Sequence, residues 1–444
     1  MNQSYYGVQS RRLILNLPKI IRNLKQQKRY RKGANILKSK KIVAIRTLAF
    51  WLVVLTFVST GFGCAGKLTR NPLPLELTNE AGIPGVPQAR FWGDEWAEWD
   101  REIVETYTDE DWRRDYQGIY NKSHNYLAIS GGGANGAFGA GLLAGWTQTG
   151  TRPEFTMVTG ISTGALTAPF AFLGPDYDDE MKAVYTTTTT DEIAIQRNPL
   201  AAAFNESMAD TSPLRKLIEH YINTEVIEAI AEEHKRGRRL FIGTANLDAG
   251  RSVIWNIGAI AASDYPRKVE LIHDVLQASS AIPVMFPPVV IPVEADGNTF
   301  DEMHVDGGTG AQVFVYPAAI DWKLITEKLK VKGTPGVYVL RNSFLDPDYT
   351  GVKRSILPIG SRTINSLIRT QGIGDLYQIY TLCKRDGNDF NLAYIPSDFT
   401  EEPSEGFDPV YMGKLYDLGY QMGKAGYSWQ KYPPGFLARQ DKKK

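Results

Sequence analysis

Short apolar runs alternate along the chain with longer segments of helical period. Asn125–Ser130, Phe155–Thr159, Arg239–Thr244 and Gly336–Arg341 are brief, apolar-dominated runs and predict strands. Gly136–Thr149, Ser162–Leu173, Ser212–Ile222 and Val269–Ser279 predict helices. Strand and helix in turn, from Tyr120 to about Tyr432 with no repeat or linker, predict an α/β fold: a three-layer arrangement with a mostly parallel central sheet flanked by helices. The Thr186–Thr190 run reads as a surface connection. Trp92, Trp96 and Trp99 fall at helical spacing and predict one face of a helix. Their acidic surroundings favour packing on the core over an anionic lipid surface.

The pattern differs before residue 91. Leu48–Val58 is an apolar core of eleven residues, short of the roughly 20 that a membrane span needs. Ser59, Thr60, Gly61, Gly63 and Cys64 follow it, and residues 1–46 hold thirteen Lys or Arg and no acid. A basic, apolar and small-residue order is that of an export signal, and the basic end stays inside. The position of Cys64 resembles that of a lipoprotein's lipid-carrying cysteine, although Gly61 and Phe62 depart from the usual pattern. Lipid anchoring at Cys64, an uncleaved anchor and a cleaved signal all remain open. Each puts the rest of the chain in the cell envelope, and the first two hold it at a membrane. Lys67–Gln88 carries Pro72, Pro74, Gly82, Pro84, Gly85 and Pro87 and reads as a stiff spacer. The expected organisation is therefore a leader and anchor at 1–66, a linker at 67–90, a hydrolase domain at 91–432 and a basic tail at 433–444.

Composition narrows the classes. An apolar fraction of 43% and a charged fraction of 22% exclude global disorder. The net charge of +1 hides the basic leader, beyond which the chain carries −12. With the apolar core behind it, the basic block points to a membrane and not to nucleic acid. Two cysteines, Cys64 and Cys383, exclude a disulfide framework or a cysteine-rich metal site. No ligand cluster suggests a metal, and no cofactor is expected.

Three short segments carry chemistry. Gly160-Ile161-Ser162-Thr163-Gly164 lies between a predicted strand and a predicted helix. A G-x-S-x-G there is a nucleophile elbow, whose tight turn presents Ser162 at the helix N-terminus and needs small flanking residues. Ser130-Gly131-Gly132-Gly133-Ala134-Asn135-Gly136 also follows a strand and precedes a helix. Consecutive glycines turn backbone N–H groups toward one point, a nest for an oxyanion or a phosphate. Gly131, Gly133 and Gly136 also meet a dinucleotide spacing, but no G-K-[ST] follows, and the serine elbow requires an oxyanion hole. Gly131, Gly132 and Gly133 are the expected donors. Asp306 precedes Gly307 and Gly308 at the end of an apolar-flanked segment; taken alone, that is an ordinary turn aspartate.

Together the three segments resemble the patatin-like phospholipase family. The glycine-rich loop, the G-x-S-x-G elbow and the D-G-G aspartate occur in that family's order, and Ala278–Val289 is similar to a stretch found in it. The resemblance covers about residues 123–311. It implies a Ser162–Asp306 dyad without histidine, a glycine oxyanion hole, a lipid or ester substrate and a lipid acyl hydrolase. Asn135 stands where the family has a basic residue, which puts contacts to charged head groups in doubt. None of the five histidines follows Asp306. His304 alternates with Asp306 and could share its face, while His124, His220, His234 and His273 read as surface or satisfied residues. An esterase of short soluble esters and a non-catalytic envelope lipoprotein retaining the fold are the alternative readings.

Overall fold

The computed structural model describes residues 70–198, 205–347, 349 and 351–436. The basic leader, the apolar core and Cys64 lie outside these residues. No helix among the described residues is long and apolar enough to cross a membrane.

The chain from Arg70 enters along the body. Pro72 bridges to Asp301, Gly82 exchanges backbone hydrogen bonds with Glu294, and Ile83, Val86 and Ala89 are buried. The expected spacer is therefore a packed strap from Arg70 onward, because its prolines are interleaved with apolar residues that find a core. The Trp92–Trp99 expectation is corrected too. Trp92 ends strand β1 (Arg90–Trp92), Trp96 lies in the irregular link that follows, and Trp99 belongs to helix α1 (Glu98–Thr106). Their common direction is core packing: Trp92 is buried and Trp99 meets Phe91 edge-on.

Helix α2 (Asp109–Asp115) leads to β2 (Asn125–Ile129), α3 (Gly136–Thr147), β3 (Met157–Gly160) and α4 (Thr163–Leu173). Helices α5 (Asp178–Thr187) and α6 (Thr190–Ile193) take up most of the threonine run, with Thr189 forming a capping box. A short antiparallel pair, β4 (Ile195–Gln196) with β5 (Ala209–Asp210), precedes α7 (Ser212–Tyr221) and α8 (Thr224–Lys235). Then come β6 (Arg239–Asn246), β7 (Arg251–Asn256), α9 (Ile257–Ala262), α10 (Lys268–Ser279), β8 (Val289–Ala295) and β9 (Asn298–Asp306). Helix α11 (Trp322–Lys328), β10 (Gly336–Phe344), α12 (Ile356–Asp386), β11 (Asp389–Ile395) and α13 (Pro409–Lys424) complete the order.

Five parallel strands, in the order β6-β3-β2-β10-β11, form the centre of a nine-stranded sheet. β7 and β1 extend one edge, and the β8–β9 hairpin joins through β9, antiparallel to the end of β6. Strand side chains alternate between two cores. Leu127, Ile129, Val158 and Ile242 pack with α3, α4 and α13, whereas Tyr126, Ala128, Met157 and Val339 pack with α2, α11 and α12. This is the expected three-layer α/β fold.

Candidate active site

Strand register alone brings the three motifs together. Ile129 of β2 pairs with Gly160 of β3, and Gly160 pairs with Ile242 of β6. Two residues further, Ser162 is level with Thr244, which pairs with Asp306 of β9. The glycine loop leaves β2 at the same level. Asp306 thus arrives from an antiparallel hairpin and not from a parallel strand, through a two-residue turn at Asp296-Gly297 with φ of 46° and 69°.

Ser162 has φ 55° and ψ −125°, a conformation that non-glycine residues rarely adopt. The turn is held tightly from both sides. A Cβ on Gly160 would lie 2.4 Å from Gly164 O, and one on Gly164 would lie 2.3 Å from Ile129 O. A Cβ on Gly136 would meet Thr163 Oγ1 at 2.3 Å, and one on Gly307 would meet Gly243 O at 2.4 Å. These four motif glycines are set by close approach of neighbouring elements. The Ser162 N–H donates to Ser279 Oγ at 3.0 Å, and the Ser279 hydroxyl donates to Gly243 O at 2.7 Å. The Asp306 N–H donates to Ala281 O at 2.9 Å. One segment, Ser279–Ala281, therefore fixes the backbone of both residues.

The Asp306 side chain is buried. Burial pushes its carboxyl up to about 6, against the lowering effect of hydrogen bonds from the Ser162 hydroxyl and the Gly308 N–H. The Gly308 bond is 2.8 Å. No ion pair among the described residues involves Asp306.

A Cβ on Gly131 would lie 3.2 Å from Ser162 Cβ, which places the loop beside the serine. The three expected donors are not equivalent. The Gly131 N–H donates to Gln312 O at 3.2 Å and is occupied. The N–H groups of Gly132 and Gly133 have no protein partner among the described residues. The loop is braced by β10: Asn342 N–H donates to Ser130 Oγ, Asn342 Nδ2 to Ser130 O, and Gly139 N–H to Asn342 Oδ1. Asn135 accepts the Tyr411 hydroxyl of α13 at 2.7 Å.

Two supports escaped the sequence. Gln312 joins the site's parts: its oxygen takes the Gly131 N–H, its Nε2 donates to Gly308 O, and its own N–H goes to Asp375 Oδ2 of α12. Ser279 was legible only as part of the Ala278–Val289 likeness. His304 points into a different network, between Thr244 Oγ1 at 2.9 Å and Glu302 Oε2 at 3.1 Å, and burial lowers its pKa. His124 and His273 are buried against the Ile119 and Ile222 carbonyls, and His220 is exposed. Cys383 is a buried thiol in the second core.

A buried carboxylate beside a serine in a strained turn, with unpartnered amides in the adjacent glycine loop, can perform acyl transfer. Comparison with known proteins gives the same class. The model of the patatin-like phospholipase family matches residues 127–319. No curated protein sequence matches the chain. VipD from Legionella pneumophila is a similar solved structure, with 14% identity and a TM-score of 0.35 over 68% of this chain and 66% of that one, just under two thirds of its length. The segment matched by the family model contains the glycine loop, the serine elbow and the aspartate, so residues 127–319 are a patatin-like phospholipase domain.

Proposed function

We propose that the protein is a lipid acyl hydrolase in which Ser162 is the nucleophile and Asp306 the general base. Ionised Asp306 takes the hydroxyl proton as Ser162 Oγ attacks an ester carbonyl. The negative charge moves to the carbonyl oxygen, where the Gly132 and Gly133 N–H groups are available, each such donor contributing about 3 kcal/mol. Protonated Asp306 then gives its proton to the leaving alcohol. In the second half, Asp306 takes a proton from water as the water attacks the acyl-serine, and returns it to Ser162. The observation that carries this reading is the burial of Asp306, without an ion-pair partner among the described residues, beside a serine held in a strained turn.

Membrane attachment through the leader, and Cys64 as a lipid site, belong to the same proposal and rest on the sequence pattern. A fluorophosphonate probe tests the chemistry: it is expected to label the full chain and not Ser162→Ala. Labelling of both, or of neither while an ester is turned over, sinks the assignment. Short soluble esters and phospholipid vesicles, assayed side by side, separate a lipid hydrolase from a plain esterase. Loss of membrane fractionation in Cys64→Ser supports lipidation, and retention with unchanged size supports an uncleaved anchor.

A further inference from the structure

The amino-terminal half of α12 differs from every other element around the site. From Gly372 onward the helix packs: Gly372 lies against Arg341, and Leu376, Ile379 and Cys383 are buried. Before Gly372 it is turned to solvent. Ile359 is 51% exposed, Ile364 48% and Leu367 64%, and Val352 and Tyr349 just ahead of the helix are 41% and 100% exposed. Ile364, Leu367 and Ile368 stand at i, i+3 and i+4, one stripe of the helix, while Arg362 and Arg369 stand seven apart on another. Residues 349–374 contain Lys353, Arg354, Arg362 and Arg369 and no acid, although the chain beyond residue 46 carries −12. An exposed apolar stripe within an acid-free, cationic segment, on an otherwise acidic body, complements an anionic bilayer surface.

Its position gives this meaning. The same helix reaches the site through Gln371, which donates to Gly310 O at 2.7 Å, and through Asp375, which accepts the Gln312 N–H. A second exposed apolar element is tied to the same residues. Val284 and Met285 are 65% and 44% exposed in the loop that begins at Ala281, the acceptor of the Asp306 N–H. The carbonyls of Val284 and Met285 hold Met208 and Ala209, and Met208 is itself 37% exposed. Val284 has φ 72°, costly for a β-branched residue, so the loop keeps this valine outward against its own backbone preference.

We infer that the amino-terminal half of α12, with the Val284–Met285 loop, docks the protein on an anionic phospholipid surface and turns the mouth of the site toward it. This rests on the lipid-hydrolase reading and adds the partner surface to it. The stripe enters the headgroup boundary, the exposed Lys353 and Arg354 ahead of the helix meet lipid phosphates, and substrate reaches Ser162 without crossing bulk water.

The test uses the full chain with vesicles of phosphatidylcholine alone or with roughly a third phosphatidylglycerol. In Leu367→Trp, bromine-labelled acyl chains are expected to quench emission beyond the background of the nine native tryptophans, more with anionic lipid and less at about 0.5 M salt. That signal reports Leu367 itself, however else the chain is held. Ile364→Asp/Leu367→Asp is expected to hydrolyse anionic vesicles about tenfold more slowly and a soluble short-chain ester at the wild-type rate. Unquenched Leu367→Trp together with unchanged vesicle hydrolysis in the double variant overturns the docking surface and leaves the dyad standing. A self-association that the double variant abolishes, without quenching by lipid, overturns it in favour of a second copy of the chain. If the wild type hydrolyses neither ester nor vesicle, the hydrolase reading fails, and quenching still decides the docking.

Discussion

Ser162 occupies a backbone conformation that costs a non-glycine residue about 1–3 kcal/mol, and the site keeps it because Oγ must stand clear of both flanking elements. Removal of the hydroxyl should therefore separate chemistry from strain. Ser162→Ala and Ser162→Gly should both lose nearly all turnover, but only Ser162→Gly relieves the backbone. It should melt at or above the wild-type temperature, and a scan placing it below Ser162→Ala contradicts the strain. Asp306 gives a second separation. Its folded pKa of about 6 lies above the ordinary 3.8, so the native state binds the proton more tightly than the unfolded one. Stability from this group is then fullest below about pH 4 and falls as pH rises through 6, a cost of about 3 kcal/mol once it is ionised. Asp306→Asn should abolish turnover and yet raise the melting temperature at pH 8, with the gain shrinking below pH 6. Wild-type kcat/KM should fall below about pH 6, where the base is protonated. Asp375, half-buried and raised to about 6, titrates in the same window, so it is the difference between wild type and Asp306→Asn that reports Asp306. At this scale the glycines and the serine were legible because the tight turn admits few residue types. Gln312 was not, because its role consists of hydrogen bonds to Gly131, Gly308 and Asp375, which no local pattern announces.

Among elements, the parallel strands were readable because they are buried on both faces and appear as unbroken apolar runs. The β8–β9 hairpin was passed over although Asp296-Gly297 between two alternating segments is a hairpin signal. Asp306 comes from that hairpin and not from one of the parallel strands. Helix α12 was hidden by Pro358, Gly360, Gly372 and Gly374 within its 31 residues. The helix after the glycine loop depends on contact that its glycines permit. A Cβ on Gly141 would lie 2.0 Å from Tyr416 O and one on Gly145 2.1 Å from Tyr420 O, so α3 and α13 cross with their backbones almost touching. Gly141→Ala forces them apart and should cost about 3 kcal/mol in urea unfolding. A variant within about 0.5 kcal/mol of wild type would mean that the helices do not approach so closely. Asn135→Ala, which frees the Tyr411 hydroxyl at the same crossing, should cost about 1 kcal/mol and leave short-ester turnover nearly intact. A thousandfold loss of turnover with the fold retained would put the Asn135 side chain in the chemistry.

For the molecule as a whole, the strap at Arg70–Trp92 decides whether the hairpin carrying Asp306 is properly seated. The Arg90 guanidinium lies between the Trp92 and Trp255 rings and is ion-paired with Glu302, four residues before Asp306. Glu302 is 1% exposed and bonded to His304; burial alone would raise its pKa, but His304 and Arg90 hold it below the ordinary value. His304 is kept neutral by burial, so Arg90 supplies the charge that compensates Glu302. A buried pair of this kind is costly to break by one side, about 3–5 kcal/mol, and cheap to replace on both. Arg90→Met should therefore unfold at markedly lower urea, and Arg90→Met/Glu302→Gln should regain most of the loss, since the amide needs no counter-charge. The pH dependence supplies the sign. In wild type the lowered Glu302 pKa adds stability above its unfolded value, lost as pH falls through the folded pKa. In Arg90→Met the uncompensated carboxyl takes up a proton readily, so the gap between the two proteins should narrow as pH drops from 8 to 5. A chain beginning at Gly93 should reproduce the Arg90→Met defect and add the loss of Ile83, Val86 and Ala89 from the core, relative to a chain beginning at Arg70. If the double variant is no more stable than Arg90→Met, Arg90 acts by packing against the two indole rings and not by charge. The strap would then be holding the hairpin through apolar contact alone.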